Sequence, residues 1–387
     1  MKKFLSVLMT AVFITGLVAV MFPSNADAVP SFARQTGESC YGCHIAFPKL
    51  NEKGYVFKYN GYRFKPNSGD EMWDLETVPW AMKVEAEHES NWGDTTDTHS
   101  LKFPEIEAFF VGPVGKRASV FVELAWDADT NSLGDAVLRL NYDLTGEGKY
   151  IISAGENEIE HDFLSTTRDQ IHQQYQADAI GHLPEVPTLE LFGQVMSSGA
   201  ISSYRYSAGI VSDSGVSQKA NKYSGAYGTL NLGFPGNHYL GVIYRYADED
   251  QGMVKTSAVH RVSVAGELNF NPLILTGGFF YTNYEDFSGG TAELDGYNLM
   301  VEAAFKINEK LWLLAREDYL WAERGSLDGN VNEASVALRY MIAANNSVQF
   351  EYRNEESSDL NDTDLSTVGT SFDDTEHKIR VFWEIAF

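Results

Sequence analysis

Lys378-Ile379-Arg380-Val381-Phe382-Trp383-Glu384-Ile385-Ala386-Phe387, at the end of the chain, is the stretch that decides the fold. Successive side chains of a β-strand point to opposite faces. Ile379, Val381, Trp383, Ile385 and Phe387 therefore share one face, which is wholly apolar. Lys378, Arg380, Phe382, Glu384 and Ala386 share the other, which is mostly polar. Earlier stretches repeat this period of two. Val120, Val122, Leu124 and Trp126 form one such row, and Ala136, Leu138, Leu140, Tyr142 and Leu144 another. Leu311 to Trp321, Tyr204 to Ile210 and Val348 to Tyr352 read the same way.

From Trp80 onward, strand starts fall near residues 80, 104, 117, 135, 149, 188, 203, 223, 237, 258, 273, 293, 309, 331, 347 and 376. That predicts an all-β, transmembrane antiparallel barrel of about 16 strands, an even number as in single-chain bacterial barrels. Short connections near 112–116, 145–148, 233–237, 269–272, 307–310 and 343–347 alternate with longer ones. The longer ones run near 90–103, 128–134, 158–187, 212–222, 248–257, 284–292, 322–330 and 355–375. Short periplasmic turns opposite long external loops are the asymmetry of an outer-membrane barrel, and the phase puts both chain ends in the periplasm. Closure leaves no strand edge unpaired in lipid. The terminal Phe387 looks like the C-terminal signal of bacterial outer-membrane proteins. Barrels of this size enclose a water-filled lumen.

The first 28 residues have a different character. Lys2 and Lys3 precede the apolar run Phe4–Phe22, and Ala26-Asp27-Ala28 is a small-x-small cleavage site. This is the layout of a secretory signal peptide, with the mature chain beginning at Val29; a retained anchor is the other reading of a run that long. No later segment is apolar for 18 residues. Three parts follow: 1–28 as signal peptide, 29–79 as a small helical segment, and 80–387 as the barrel.

Charge narrows the partners. The chain has 54 acidic and 29 basic residues, a formal net charge of −25, whereas nucleic-acid binding is driven by basic patches. No nucleic-acid partner is expected. The 20 Tyr and 23 Phe suit amphipathic strands and the aromatic belts where a barrel meets the membrane surfaces. Between Glu355 and Glu376 there are eight carboxylates and no Lys or Arg. Such a stretch is either a solvated loop or an anionic mouth that concentrates cations.

The only two cysteines lie in Cys40-Tyr41-Gly42-Cys43-His44, a C-x-x-C-H sequence, the attachment site of c-type haem. Two thiols three residues apart reach the two vinyl groups on one edge of the macrocycle, and the next imidazole falls under the iron. A thioredoxin-like pair needs a surrounding βαβ pattern, and a structural zinc site needs four ligands; the chain offers neither. One covalent haem c is expected, with thioethers at Cys40 and Cys43 and His44 as axial ligand. Phe47, Leu50, Gly54, Phe57 and Gly61 recur at steps of 3 and 4, which predicts one helix face against the macrocycle. Candidates for a second axial ligand are Met72, Met82, His88 and His99. Met72, in an acidic Trp-containing stretch ahead of the barrel, is the preferred one; an iron with no second protein ligand is the alternative. His161, His172 and His377 read as ordinary surface or lumen residues.

Pro30-Ser31-Phe32-Ala33-Arg34-Gln35-Thr36-Gly37, the C-x-x-C-H motif, Phe47-Pro48-x-Leu50 and Gly54-x-x-Phe57-Lys58-x-x-Gly61-Tyr62 together resemble the N-terminal module of the fused monohaem cytochrome–porins. These are outer-membrane proteins best known from iron-oxidising bacteria. The specific residues are confined to positions 30–62; the barrel is similar only in pattern. The resemblance implies a monohaem cytochrome c segment followed by a barrel in outer-membrane lipid, and a sixteen-strand lumen is wide enough for that segment to plug it at least in part. It also implies that extracellular ferrous iron, or another redox donor, gives an electron that a periplasmic c-type cytochrome accepts. Two other functions compete: a transport porin with a haem-bearing plug, and a haem enzyme reacting at an open sixth position. Electron transfer with Fe(II) oxidase activity is the expected class, and no acid–base catalytic residue is assigned.

Overall fold

A computed structural model describes residues 31–33, 38–63, 79–93, 97–127, 132–157, 171, 186–212, 223–250, 256–285, 293–343, 345–359 and 373–386. The expected signal peptide and Met72 lie outside these residues.

The wall of the molecule is built from β3 (Trp80–Gly93), β4 (Asp97–Lys102), β5 (Glu105–Pro113), β6 (Ala118–Asp127), β7 (Ser132–Asp143), β8 (Ile151–Asn157), β9 (Val186–Met196), β10 (Ser203–Ser212), β11 (Tyr223–Phe234), β12 (His238–Asp250), β13 (Thr256–Asn269), β14 (Leu273–Tyr284), β15 (Leu294–Asn308), β16 (Leu311–Arg324), β17 (Leu327–Ala343), β18 (Asn346–Ser358) and β19 (Asp373–Ala386). Each strand pairs antiparallel with its neighbours, and β19 closes on β3 with Ala386 opposite Lys83 and Glu376 opposite Gly93. β4 and β5 both pair with β3, through Glu87–Trp92 and Trp80–Val84 respectively. They are one stave broken at Phe103-Pro104, where proline has no N–H for the ladder. The barrel therefore has sixteen staves.

The predicted starts agree with the observed strands, and the boundaries correct several loops. The expected 322–330 loop is a tight turn, since β16 runs to Arg324 and Arg324 pairs with Leu327 of β17. Most of 90–103 is strand, in β3 and β4. The acidic 355–376 stretch is partly strand: Glu355 and Glu376 both pair with Arg353 inside the barrel, at 2.8 and 3.3 Å. The expected external loop 158–187 connects the long-loop ends of β8 and β9, and Ile171, its described central residue, is fully buried. It packs with Ala46, Ile274 and Trp312.

Polarity is inverted relative to a water-soluble barrel. On β13, Val262 and Val264 are 40 and 43 % exposed, while Arg261 and Ser263 between them are 3 and 1 % exposed. The pattern repeats around the wall, with Leu138, Leu140, Leu299 and Val336 outside and Arg205, Arg245, Glu302 and Asp318 inside. A continuous apolar exterior with a charged interior is stable only where the exterior solvent is lipid. Exterior aromatics sit near both rims, with Tyr142, Tyr150 and Tyr340 towards the short turns and Trp92, Trp126 and Trp321 towards the other end. Among the described residues no helix is long and apolar enough to cross a membrane.

The N-terminal residues fill the lumen at the short-turn end. They form α1 (Cys40–Cys43), β1 (His44–Ala46), β2 (Lys49–Leu50) and α2 (Glu52–Tyr59), with β1 and β2 paired as a small hairpin. The single helix expected from Phe47 to Gly61 is thus shorter. Pro48 sits in the hairpin turn, and α2 starts only after Asn51, whose side chain accepts from the Gly54 N–H at 3.0 Å as N-cap. The 3–4 spacing of Phe47 and Leu50 with Gly54 came from a hairpin flanking a helix.

A candidate haem centre in the barrel lumen

α1 puts Cys40 and Cys43, three residues apart on one helical turn, on the same face. The turn ends at His44, whose N–H bonds back to the Cys40 carbonyl. Cys40 is buried, and Cys43 and His44 are half-buried. Asn51 ties this turn to the helix that follows. Its N–H bonds the Cys43 carbonyl at 2.9 Å and its Nδ2 donates to the Gly42 carbonyl at 3.0 Å. Gly54 is required here, because a Cβ at that position would lie 2.3 Å from the Cys43 carbonyl oxygen. Glycine spacing on α2 thus serves the backbone of the cysteine turn.

The imidazole of His44 is oriented by the hairpin. Nδ1 lies 2.7 Å from the Pro48 carbonyl. A carbonyl only accepts, so Nδ1 carries the proton and Nε2 is left with its lone pair. Burial holds the His44 pKa below its usual value, against the opposing effect of the Pro48 and Lys49 backbone hydrogen bonds. A neutral imidazole whose other nitrogen donates to a carbonyl is the arrangement that a metal-ligating histidine needs.

The wall grips this segment from many sides. Lys49 is 3 % exposed and lies 3.3 Å from Glu302 and 3.6 Å from Glu267, with a further hydrogen bond to Thr276. Arg339 of β17 donates to the Phe47 carbonyl at 2.7 Å. Glu52 pairs with Arg205 at 2.6 Å, and that guanidinium lies 4.2 Å over the ring of Tyr55, which packs against Tyr239 at 4.4 Å. Gln194 donates to the Val56 carbonyl at 2.9 Å. Past the helix, Arg63 pairs with Asp143 at 2.8 Å, while Gly61 bonds Ser119 through its carbonyl. These partners span β6 to β17 and lie close to the short turns. None of these wall residues was legible as a plug contact, because each alternates like any other lumen residue.

Of the expected site residues, the structure brings Cys40, Cys43 and His44 together. Met82 and His88 share the face of β3 opposite to buried Lys83, Glu85 and Glu87, so they point away from the lumen. His99 lies on exposed β4 beside Asp97 and Ser90. These three are removed as second axial ligands; Met72 falls outside the described residues. His377 packs on the exterior against Tyr352 and Trp92. Glu85, Glu105 and Glu107 bring carboxylates close together, and Lys83 of the same wall sits among them.

The residues fit a c-type haem on the donor chemistry. Two thiols share a helical turn, and the adjacent imidazole is neutral, with Nδ1 already engaged. Cys40 and Cys43 would hold the group by thioethers and His44 would ligate its iron through Nε2.

No protein-family model and no characterised protein sequence matches the chain. Solved structures do. An anion-selective porin from Comamonas acidovorans superposes with a TM-score of 0.61 at 10% identity over 80% of this chain and 98% of its own. The outer membrane channel DcaP of Acinetobacter baumannii gives 0.58 at 12% identity over 80% and 97%. The outer membrane protein OmpT of Vibrio cholerae, folded in vitro, gives 0.58 at 11% identity over 81% and 99%. At such identities the likeness is one of fold: the chain is a closed, sixteen-stranded antiparallel barrel of porin architecture.

Proposed function

We propose that the protein is an outer-membrane electron conduit of the cytochrome–porin kind. It carries one covalent haem c on Cys40 and Cys43 with His44 as axial ligand. Its reaction is the oxidation of extracellular ferrous iron coupled to reduction of a periplasmic c-type cytochrome. The observation that carries this reading is the C-x-x-C-H turn seated inside the barrel, with a neutral His44 held by the Pro48 carbonyl. The bound haem supplies a one-electron redox centre.

The chain's own residues do the rest. Pro48 fixes the imidazole tautomer, and Asn51 and Gly54 hold the cysteine turn against α2. The ion pairs of Lys49, Glu52 and Arg63 seat the whole segment at the short-turn end. With both barrel ends at that side, it faces the periplasm, where a soluble acceptor cytochrome can reach it. Met72 is the proposed second axial ligand.

The test is the visible spectrum of the detergent-solubilised protein before and after ferrous iron is added. A c-type spectrum that becomes reduced is expected. One that responds to dithionite but not to ferrous iron across a range of pH removes iron as the donor. The porin architecture supports a second reading, a transport pore with a haem-bearing plug. Large steady single-channel conductance in a bilayer would favour it; the seated plug predicts a blocked channel.

A further inference from the structure

We infer that Arg339 of the barrel wall is a positioning residue for the axial imidazole, so that the wall sets the redox balance of the haem; this rests on the haem reading above. Arg339 is 8 % exposed. Its Nη1 donates to the Phe47 carbonyl at 2.7 Å, and the next carbonyl, Pro48, is the one that holds His44 Nδ1 at 2.7 Å. The hairpin turn carrying both carbonyls is thereby tied to β17.

Arg339 is itself held from behind. Its Nε donates to Gln349 Oε1 at 2.6 Å, and Gln349 Nε2 donates to Glu351 at 3.0 Å. Glu351 faces Arg380 at 3.5 Å, and Arg380 pairs with Glu89 at 2.9 Å. A hydrogen-bonded line thus runs from the Phe47–Pro48 turn across β17, β18 and β19 to β3, where the barrel closes. On the other side of the turn, Lys49 is clamped by Glu267 and Glu302. With both flanks fixed to the wall, the turn holds the Pro48 carbonyl against Nδ1 of His44.

The consequence has a sign. A strong bond from Nδ1–H to a carbonyl makes the imidazole a more basic ligand. A more basic ligand favours ferric over ferrous iron. Loosening the turn therefore shifts the balance towards the reduced form. Loss of a positive charge nearby acts in the opposite sense, since it stabilises the ferric state. The two effects are separable by removing a buried wall arginine that pairs with another wall residue. Arg316, on neighbouring β16, pairs with Glu333 at 3.0 Å and serves this purpose.

The experiment uses full-length haem-loaded wild type, Arg339→Met and Arg316→Met in detergent, poised at a fixed ambient potential. Arg339→Met is expected to show a reduced-to-oxidised ratio about fivefold above that of Arg316→Met, the scale of one hydrogen bond. A changed ferric EPR spectrum, reporting imidazole orientation, should accompany it. Equal ratios and spectra in the two variants overturn the inference. Gln349→Leu, which keeps every charge and untethers the guanidinium, should move in the same direction by less. It decides the matter by comparison with the wild type if Arg339→Met does not accumulate, a ratio and spectrum equal to the wild type's overturning the inference. Absence of covalent haem from the wild type would instead break the proposed function and is read first, by the mass of the chain.

Discussion

The wall and the plug are held by different physics. The wall is a closed ladder of antiparallel strands, and its stability is spread over sixteen staves. The described part of the plug from Cys40 to Arg63 has two short helices and a small hairpin, and it is seated by a handful of ion pairs and ring contacts. Distributed backbone hydrogen bonding tolerates most single changes. Concentrated side-chain contacts do not, because each leaves a buried partner behind when it is lost. The candidate site sits on the part held by the concentrated contacts.

The sharpest way to separate the two regions is to remove the chemistry and leave the wall. Cys43→Ser abolishes one thioether and is expected to eliminate the normal two-thioether c-type spectrum, with the barrel still folding and inserting. Heat-dependent gel mobility of the purified protein reads the barrel, and haem staining reads the plug. If the barrel fails to form without haem attachment, the two are one folding unit and the contrast collapses.

A smaller effect is expected from Lys49→Met. The substitution nearly preserves volume but leaves Glu267 and Glu302 facing each other without their cation. Breaking a buried pair in this way costs about 3–5 kcal/mol. The plug should respond by leaving its seat, since hydration of the two carboxylates in an open lumen costs less than burying them unpaired. Limited proteolysis near residues 38–63 and the appearance of single-channel conductance would both report it. A variant as resistant and as silent as the wild type would show that the remaining contacts suffice, with Arg205–Glu52 and Arg63–Asp143 the first to examine.

The same contrast governs what could be read from sequence. The wall was legible because its signal is periodic: Val262 and Val264 outside, Arg261 and Ser263 inside, repeated strand after strand. Errors came at the ends, where periodicity stops. Loop 322–330 proved to be strand on both sides of a tight turn, as Leu327 pairs with Arg324 and nothing in its composition announced that. The centre was legible from one short motif, Cys40 to His44. Its supports were not. Arg339, Glu302 and Arg205 sit at lumen parity like many others, and only three-dimensional closure brings them to Phe47, Lys49 and Glu52. For the distal candidates Met82 and His88 the signal is in the sequence, since their parity on β3 matches Val84 and Ala86 rather than Lys83 and Glu85.

Parity also gives the mildest of the tests, and it is aimed at the wall. Val262 is 40 % exposed on the outer face of β13, near the middle of the strand, and Ser263 beside it is 1 % exposed and faces the lumen. An arginine on the lipid face near mid-membrane costs about 2–4 kcal/mol, less towards the rims. Val262→Arg should therefore lower barrel stability by that amount in a reversible denaturant titration from lipid vesicles. Ser263→Ala, which removes one hydroxyl from the polar interior, should change it by less than about 1.5 kcal/mol. Neither change touches the plug, so haem content should be unaltered in both. The ordering of the two costs is what tests the orientation of the wall. If Ser263→Ala proves the costlier, β13 is turned the other way, and every assignment of lumen and lipid face along β3 to β19 turns with it.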